Sequence, residues 1–150
     1  FLFAACGGGA GNTPVAQKPA DATDQASVAA TENPAYDPKR GEGKFTTVDI
    51  GEHLDMAKAD AGNKVFDVKC SACHKLTDEK LVGPGWKDVT IRREPVWIMN
   101  FITNTDEMIT KDPALQAQLE LCMVRMPNQS LNDEDARNLV EFMRKNDGVK

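Results

Sequence analysis

The chain has 150 residues, with 18 Lys and Arg against 23 Asp and Glu, giving a net charge of −5 at pH 7. That length allows one modest domain and a tail. The acidic balance leaves no surplus of bases to neutralise phosphates, which excludes nucleic acid as the main partner.

The first residues, Phe1-Leu2-Phe3-Ala4-Ala5-Cys6, form an apolar run too short to span a bilayer. Residues 1–5 read as the end of a bacterial signal peptide. Phe3-Ala4-Ala5-Cys6 resembles a lipobox, in which small residues precede a cysteine that is lipidated and becomes the mature N-terminus, although Leu is usual at the Phe3 position. Cys6 is therefore the expected lipidation site, with a plain secretory cleavage site as the alternative. The expected location is exported, on the periplasmic side of a bacterial membrane and tied to it by lipid.

Residues 6–40 carry Gly7-Gly8-Gly9, Gly11 and prolines at 14, 19, 34 and 38 among Ala, Thr, Gln and Asp, with Tyr36 the only ring. No helical or strand period survives there, and the segment reads as a flexible linker with a reach of about 30–35 Å. The domain is expected over 41–150. Its first part, Gly41–Asp55, with Phe45, Val48 and Ile50, is expected to lie as an extended strap on the rest.

From Met56 the pattern turns helical, and Gly62, Phe66 and Cys70 share one helix face. Gly62 lowers helix propensity, so a close helix crossing is the expected reason for it. Gly83-Pro84-Gly85 stops any helix. Pro95 starts a predicted helix over Pro95–Thr103, and Asp112-Pro113 caps and starts another over Pro113–Cys122. The last helix opens on Leu131 and Asn132 with three acids in its first turn, and Arg144 and Lys145 suit its C-terminal dipole. The fold class is all-α.

The chemistry lies in Cys70-Ser71-Ala72-Cys73-His74, the one CxxCH in the chain. Cysteines at i and i+3 fall on one face of a helical turn and reach both vinyl groups of a single haem, and the histidine that follows sits under the porphyrin to bind iron. The competing reading, a redox CxxC with an incidental histidine, wants a βαβ context that is absent from the pattern. A covalent haem c would also thicken a core with only 6% aromatic residues.

His74 then needs a ligand opposite it. Met/His ligation is common in electron-carrying c haems, and six methionines compete. Met56, Met99 and Met143 fall in apolar helical stripes, which favours core packing. Met126 lies between two helices and precedes Pro127, which keeps the segment out of a helix, so Met126 is the expected ligand. Met123, Cys122 and His53 remain as alternatives.

Gly62-x3-Phe66-x3-Cys70-x2-Cys73-His74, Gly83-Pro84, Met126-Pro127 and Leu139-x2-Phe142 together resemble the class I monohaem cytochromes c over about residues 56 to 147. The resemblance implies the cytochrome c fold, several helices wrapped around one covalent haem. The first and last helices would cross at Gly62 and Phe66 against Leu139 and Phe142. It also implies that the Pro84 carbonyl takes the His74 N–H, and that Trp86, Trp97, Arg92 or Arg93 meets the haem propionates. Lys69–Leu76, Val82-Gly-Pro, Val89–Arg93, Trp97–Asn100 and Met126–Gln129 resemble lipid-anchored bacterial cytochromes associated with nitrous-oxide reduction or with respiratory complexes. Gly85 and Cys122 depart from that pattern.

The implied function is one-electron transfer between exported respiratory proteins, with no enzymatic step. A quinol-oxidising complex is the expected donor, and a terminal reductase, such as nitrous-oxide reductase, or an oxidase the expected acceptor. The rival reading is a haem enzyme or gas sensor with an open distal iron. A third is a haem subunit fixed in a membrane complex. Six bases between Lys69 and Arg93 against three acids suggest a basic rim that steers an acidic partner.

Overall fold

The computed structural model of the chain describes residues 36–150. The signal-peptide and Cys6 lipidation readings, and the linker up to residue 35, fall outside the described residues.

Six helices occur in this part: α1 (Met56–Lys69), α2 (Val89–Arg92), α3 (Pro95–Thr103), α4 (Thr105–Lys111), α5 (Pro113–Cys122) and α6 (Asp133–Asn146). Among the described residues there is no strand, only an isolated bridge between His74 and Lys80. The expected all-α class is the observed one. The predicted bounds of α3 and α5 are those of the structure, whereas α2 and α4 are additions to the sequence reading. Asn104 both ends α3 and precedes α4.

Two long helices make the frame. Asp55 caps α1 by accepting from the Lys58 N–H at 3.0 Å, and Asn132 caps α6 by accepting from Asp135 N–H at 2.7 Å. On α6 one face is buried through Ala136, Leu139, Val140, Phe142 and Met143, and burial of each large side chain contributes about 1.5–3 kcal/mol. That face packs on α1. At the crossing, a Cβ on Gly62 would fall 2.1 Å from the Asn138 carbonyl oxygen and 2.8 Å from Phe142 Cβ. Only glycine lets the two backbones come this close. The Phe66 ring lies 5.4 Å from Phe142 and 4.8 Å from Trp86, extending the contact toward the haem-attachment turn.

The segment before α1 is an irregular strap, as expected, and side chains from the body hold it. Buried Asn100 donates from Nδ2 to the carbonyls of Arg40 (2.9 Å) and Phe45 (3.0 Å) and accepts from Phe45 N–H (3.0 Å). Arg144 donates to Gly51 O at 2.8 Å while pairing with buried Glu141 at 2.9 Å. Packing begins earlier than the composition suggests. Tyr36 donates its hydroxyl to Asp112 Oδ2 at 2.5 Å, so residues 36–40, assigned by composition to the linker, lie against the domain. Burial, and then the Asp112 carboxylate, push the Tyr36 hydroxyl well above its ordinary range.

The methionines need one correction. Met99 and Met143 are core residues, but Met56, in the first turn of α1, is 51% exposed. Met108, unassigned by sequence, is fully buried and accepts from Glu42 N–H at the strap.

Candidate functional site

α1 ends where the CxxCH begins. Cys70 N–H closes the last helical bond to Phe66 O, and the chain keeps turning, with Cys73 and His74 N–H both donating to Cys70 O at 3.0 and 2.9 Å. One tight turn therefore gathers Cys70, Cys73 and His74. Burial pushes the Cys70 thiol up to about 11. That is opposite to the direction in which a redox CxxC shifts its attacking thiol.

The loop after it cradles the imidazole. Val82 and Gly83 N–H donate to Cys73 O at 3.2 and 2.9 Å, bringing Gly83 flat against His74. A Cβ there would lie 2.4 Å from His74 Cε1. His74 Nδ1 is 2.8 Å from the Pro84 carbonyl oxygen. A carbonyl can only accept, so Nδ1 carries the proton and Nε2 keeps its lone pair. Burial lowers the His74 pKa, against a smaller opposing pull from Pro84, which favours the neutral ring that a metal ligand requires. The Trp86 ring packs 5.6 Å away. Gly85 has a local reason too, since a Cβ would meet Thr77 O at 2.1 Å.

Cys73, His74 and Pro84 line one side of an open cleft. Its walls are Ile98, Phe101 and Ile102 from α3, Leu115 and Leu119 from α5, Met143 from α6, and Met126 with Pro127 from the loop before α6. Cys70 is buried in the adjoining core rather than in the cleft wall. Of the other ligand candidates, Cys122 lines the cleft and accepts from Gln118 Nε2 at 3.4 Å. Met123 is 87% exposed, and neither it nor His53 lines the cleft.

Trp86, Trp97, Arg92 and Arg93 all border the cleft, but Trp97 drops out as a propionate donor. Its indole N–H is taken by the buried Asp112 carboxylate at 2.8 Å. Asp112 also caps α5 through Ala114 and Leu115 N–H and receives Tyr36. Sequence reading found the cap and missed the network, because neither Tyr36 nor Trp97 stands near Asp112 in the chain. Arg92 donates to the Lys87 carbonyl at 2.9 Å, and Arg93 stacks 4.2 Å over the Trp97 ring.

The donor set fits a c-type haem: two thiols one turn apart, an oriented imidazole, a thioether, and apolar walls around the cleft they share. Frame and site together define a class I monohaem protein. The chain belongs to the cytochrome c family, whose model, described as Cytochrome c, matches residues 59–147. A cytochrome c from Rhodothermus marinus is similar in structure, at 36% identity and a TM-score of 0.71, with 74% of this chain and 97% of that one covered. An engineered cytochrome c from the same organism matches at 36% identity and a TM-score of 0.67, covering 70% and 90%. The engineered protein bound to a carbene intermediate matches at 36% identity and 0.64, with the same coverage. No curated protein matches the chain. The fold is that of cytochrome c, with one covalent c-type haem, and the chain is an electron-carrying haem protein that works with redox protein partners.

Proposed function

We propose that Cys70 and Cys73 would hold the haem covalently, that His74 and Met126 would bind its iron, and that the protein carries single electrons without further chemistry. The observation that carries this is the placement of His74, fixed by Pro84 at 2.8 Å, and Met126 on one apolar cleft. When bound, the haem supplies a one-electron iron couple. The chain's own residues do the rest. Pro84 and Gly83 hold the imidazole so that it need not reorient, Met126 closes the opposite side, and the walls from α3 and α5 keep water from the centre.

The partners we propose are a quinol-oxidising complex as donor and a terminal reductase, such as nitrous-oxide reductase, or an oxidase as acceptor. They would be reached from the periplasmic side of a bacterial membrane through a lipid on Cys6. Among the described residues no helix is long and apolar enough to cross a membrane. Of Lys69, Lys75, Lys80, Lys87, Arg92 and Arg93, only Lys75 pairs with a carboxylate there, that of Glu79. The unpaired charges support docking of an acidic partner.

A second reading follows from the carbene-bound engineered relative: an iron that takes up a small molecule once its sixth ligand leaves. A redox titration followed optically separates the two. Electron carriage predicts one reversible one-electron transition, a low-spin spectrum in both states and the weak red band of ferric thioether ligation. A high-spin ferric spectrum without that band would contradict it.

A further inference from the structure

Large apolar side chains are exposed around the start of the loop that carries Met126. Leu121 is 71% exposed, Met123 87% and Val124 52%. Met123 turns the chain at φ 54°, in the left-handed region. Among the described residues, no backbone–backbone hydrogen bond involves residues 124–131.

Three cationic side chains hold it instead. Lys80 Nζ donates to Leu121 O at 2.9 Å, and Lys69 Nζ donates to Gln129 O at 2.9 Å. Arg125 donates to the Asp106 carboxylate at 3.1 Å and to its carbonyl at 2.9 Å. The two lysines have a common origin. Lys69 directly precedes Cys70, and Lys80 forms the isolated bridge with His74. Lys80 reaches the last turn of α5, where the loop begins, and Lys69 reaches Gln129 beyond Met126. Leu121 O is also one of the last carbonyls of α5, which have no partner within the helix.

We infer that Lys69 and Lys80 are positioning residues, a clasp that ties the haem-attachment segment to both ends of the Met126 loop and keeps the cleft closed to outside ligands. The inference rests on the proposed His74/Met126 closure. The apparent affinity of an outside ligand scales with the fraction of molecules whose loop is open. Losing one such hydrogen bond shifts that fraction about threefold to tenfold, and losses at opposite ends of the loop add.

Imidazole titration of the ferric holoprotein tests this. Lys69→Met and Lys80→Met should each bind imidazole about threefold to tenfold more tightly than the parent, and weaken its red thioether band. Lys69→Arg and Lys80→Arg keep donor and charge and should restore both. Lys87→Met removes a cation that does not touch the loop and should change neither. Unchanged affinity in both Lys→Met variants overturns the clasp, as does an equal rise in Lys87→Met, which would signify charge alone. Met126→Ala separates this from the ligation itself. If it binds imidazole no more tightly than the parent, the proposed closure has failed; if it opens the iron while the lysine variants do not, only the clasp has failed.

Discussion

The two sides of the haem cleft are built by opposite means. On the proximal side, backbone meets backbone or ring with no room to spare: Gly62 against Asn138, Gly83 against His74, Gly85 against Thr77. On the distal side, a loop with no backbone–backbone hydrogen bond over residues 124–131 is held by long cationic side chains. The difference teaches where each property of the site resides. Close packing fixes His74, and changes to it damage the whole fold. Side-chain ties fix the loop of Met126, the proposed second ligand, and changes to them are expected to alter access while sparing stability.

The largest effect tests the packed side. Gly62→Val should destabilise the protein by about 3 kcal/mol or more in denaturant unfolding, because both obstacles are on the neighbouring helix and one is backbone. Gly83→Ala comes next, at about 1–3 kcal/mol. Its Cβ displaces the imidazole from Pro84, so the ratio of haem to protein absorbance in purified material should fall as well. A Gly83→Ala protein with full haem content and parental stability would break the contrast between the two sides.

The strap gives a smaller, pH-dependent effect. Tyr36 is raised above its ordinary value of 10.0 in the folded protein, so the unfolded chain loses this proton first as pH rises. Its contribution is complete below about pH 10 and is lost as pH climbs above that. Tyr36→Phe should cost about 1–2 kcal/mol at pH 7. It should also unfold with a shallower pH dependence than the parent between pH 10 and 12, read by circular dichroism. The smallest change in stability belongs to Lys87→Glu, within about 0.5 kcal/mol of the parent. Its effect should be on rate: slower electron exchange with an acidic redox protein at low salt, converging with the parent at high salt. Equal rates at every ionic strength would remove the basic docking rim.

Much of the proximal side was legible in the sequence, because its parts are local. The CxxCH turn, Gly-Pro ten residues on, the glycine and aromatic spacing of α1 and the capped, acid-led start of α6 all declare themselves within a few residues. The distal side was legible only as a methionine in a loop. Its ties join Lys80 to Leu121 and Lys69 to Gln129 across 41 and 60 residues, and a lysine that reaches a carbonyl leaves no pattern in the chain. The Tyr36–Asp112–Trp97 cluster was hidden for the same reason. α4 escaped notice because it is only seven residues long and follows α3 after a single residue, Asn104. Met56 misled because a periodic position in a first turn need not yet face a neighbour.

The most direct test of the account is carbon monoxide binding to the reduced holoprotein, compared among the parent, Met126→Ala and Met123→Ala. The account predicts no spectral shift in the parent or in Met123→Ala, and a full shift in Met126→Ala, because Met126 alone closes the iron opposite His74. A shift in the parent, or an opening produced by Met123→Ala and not by Met126→Ala, would contradict it.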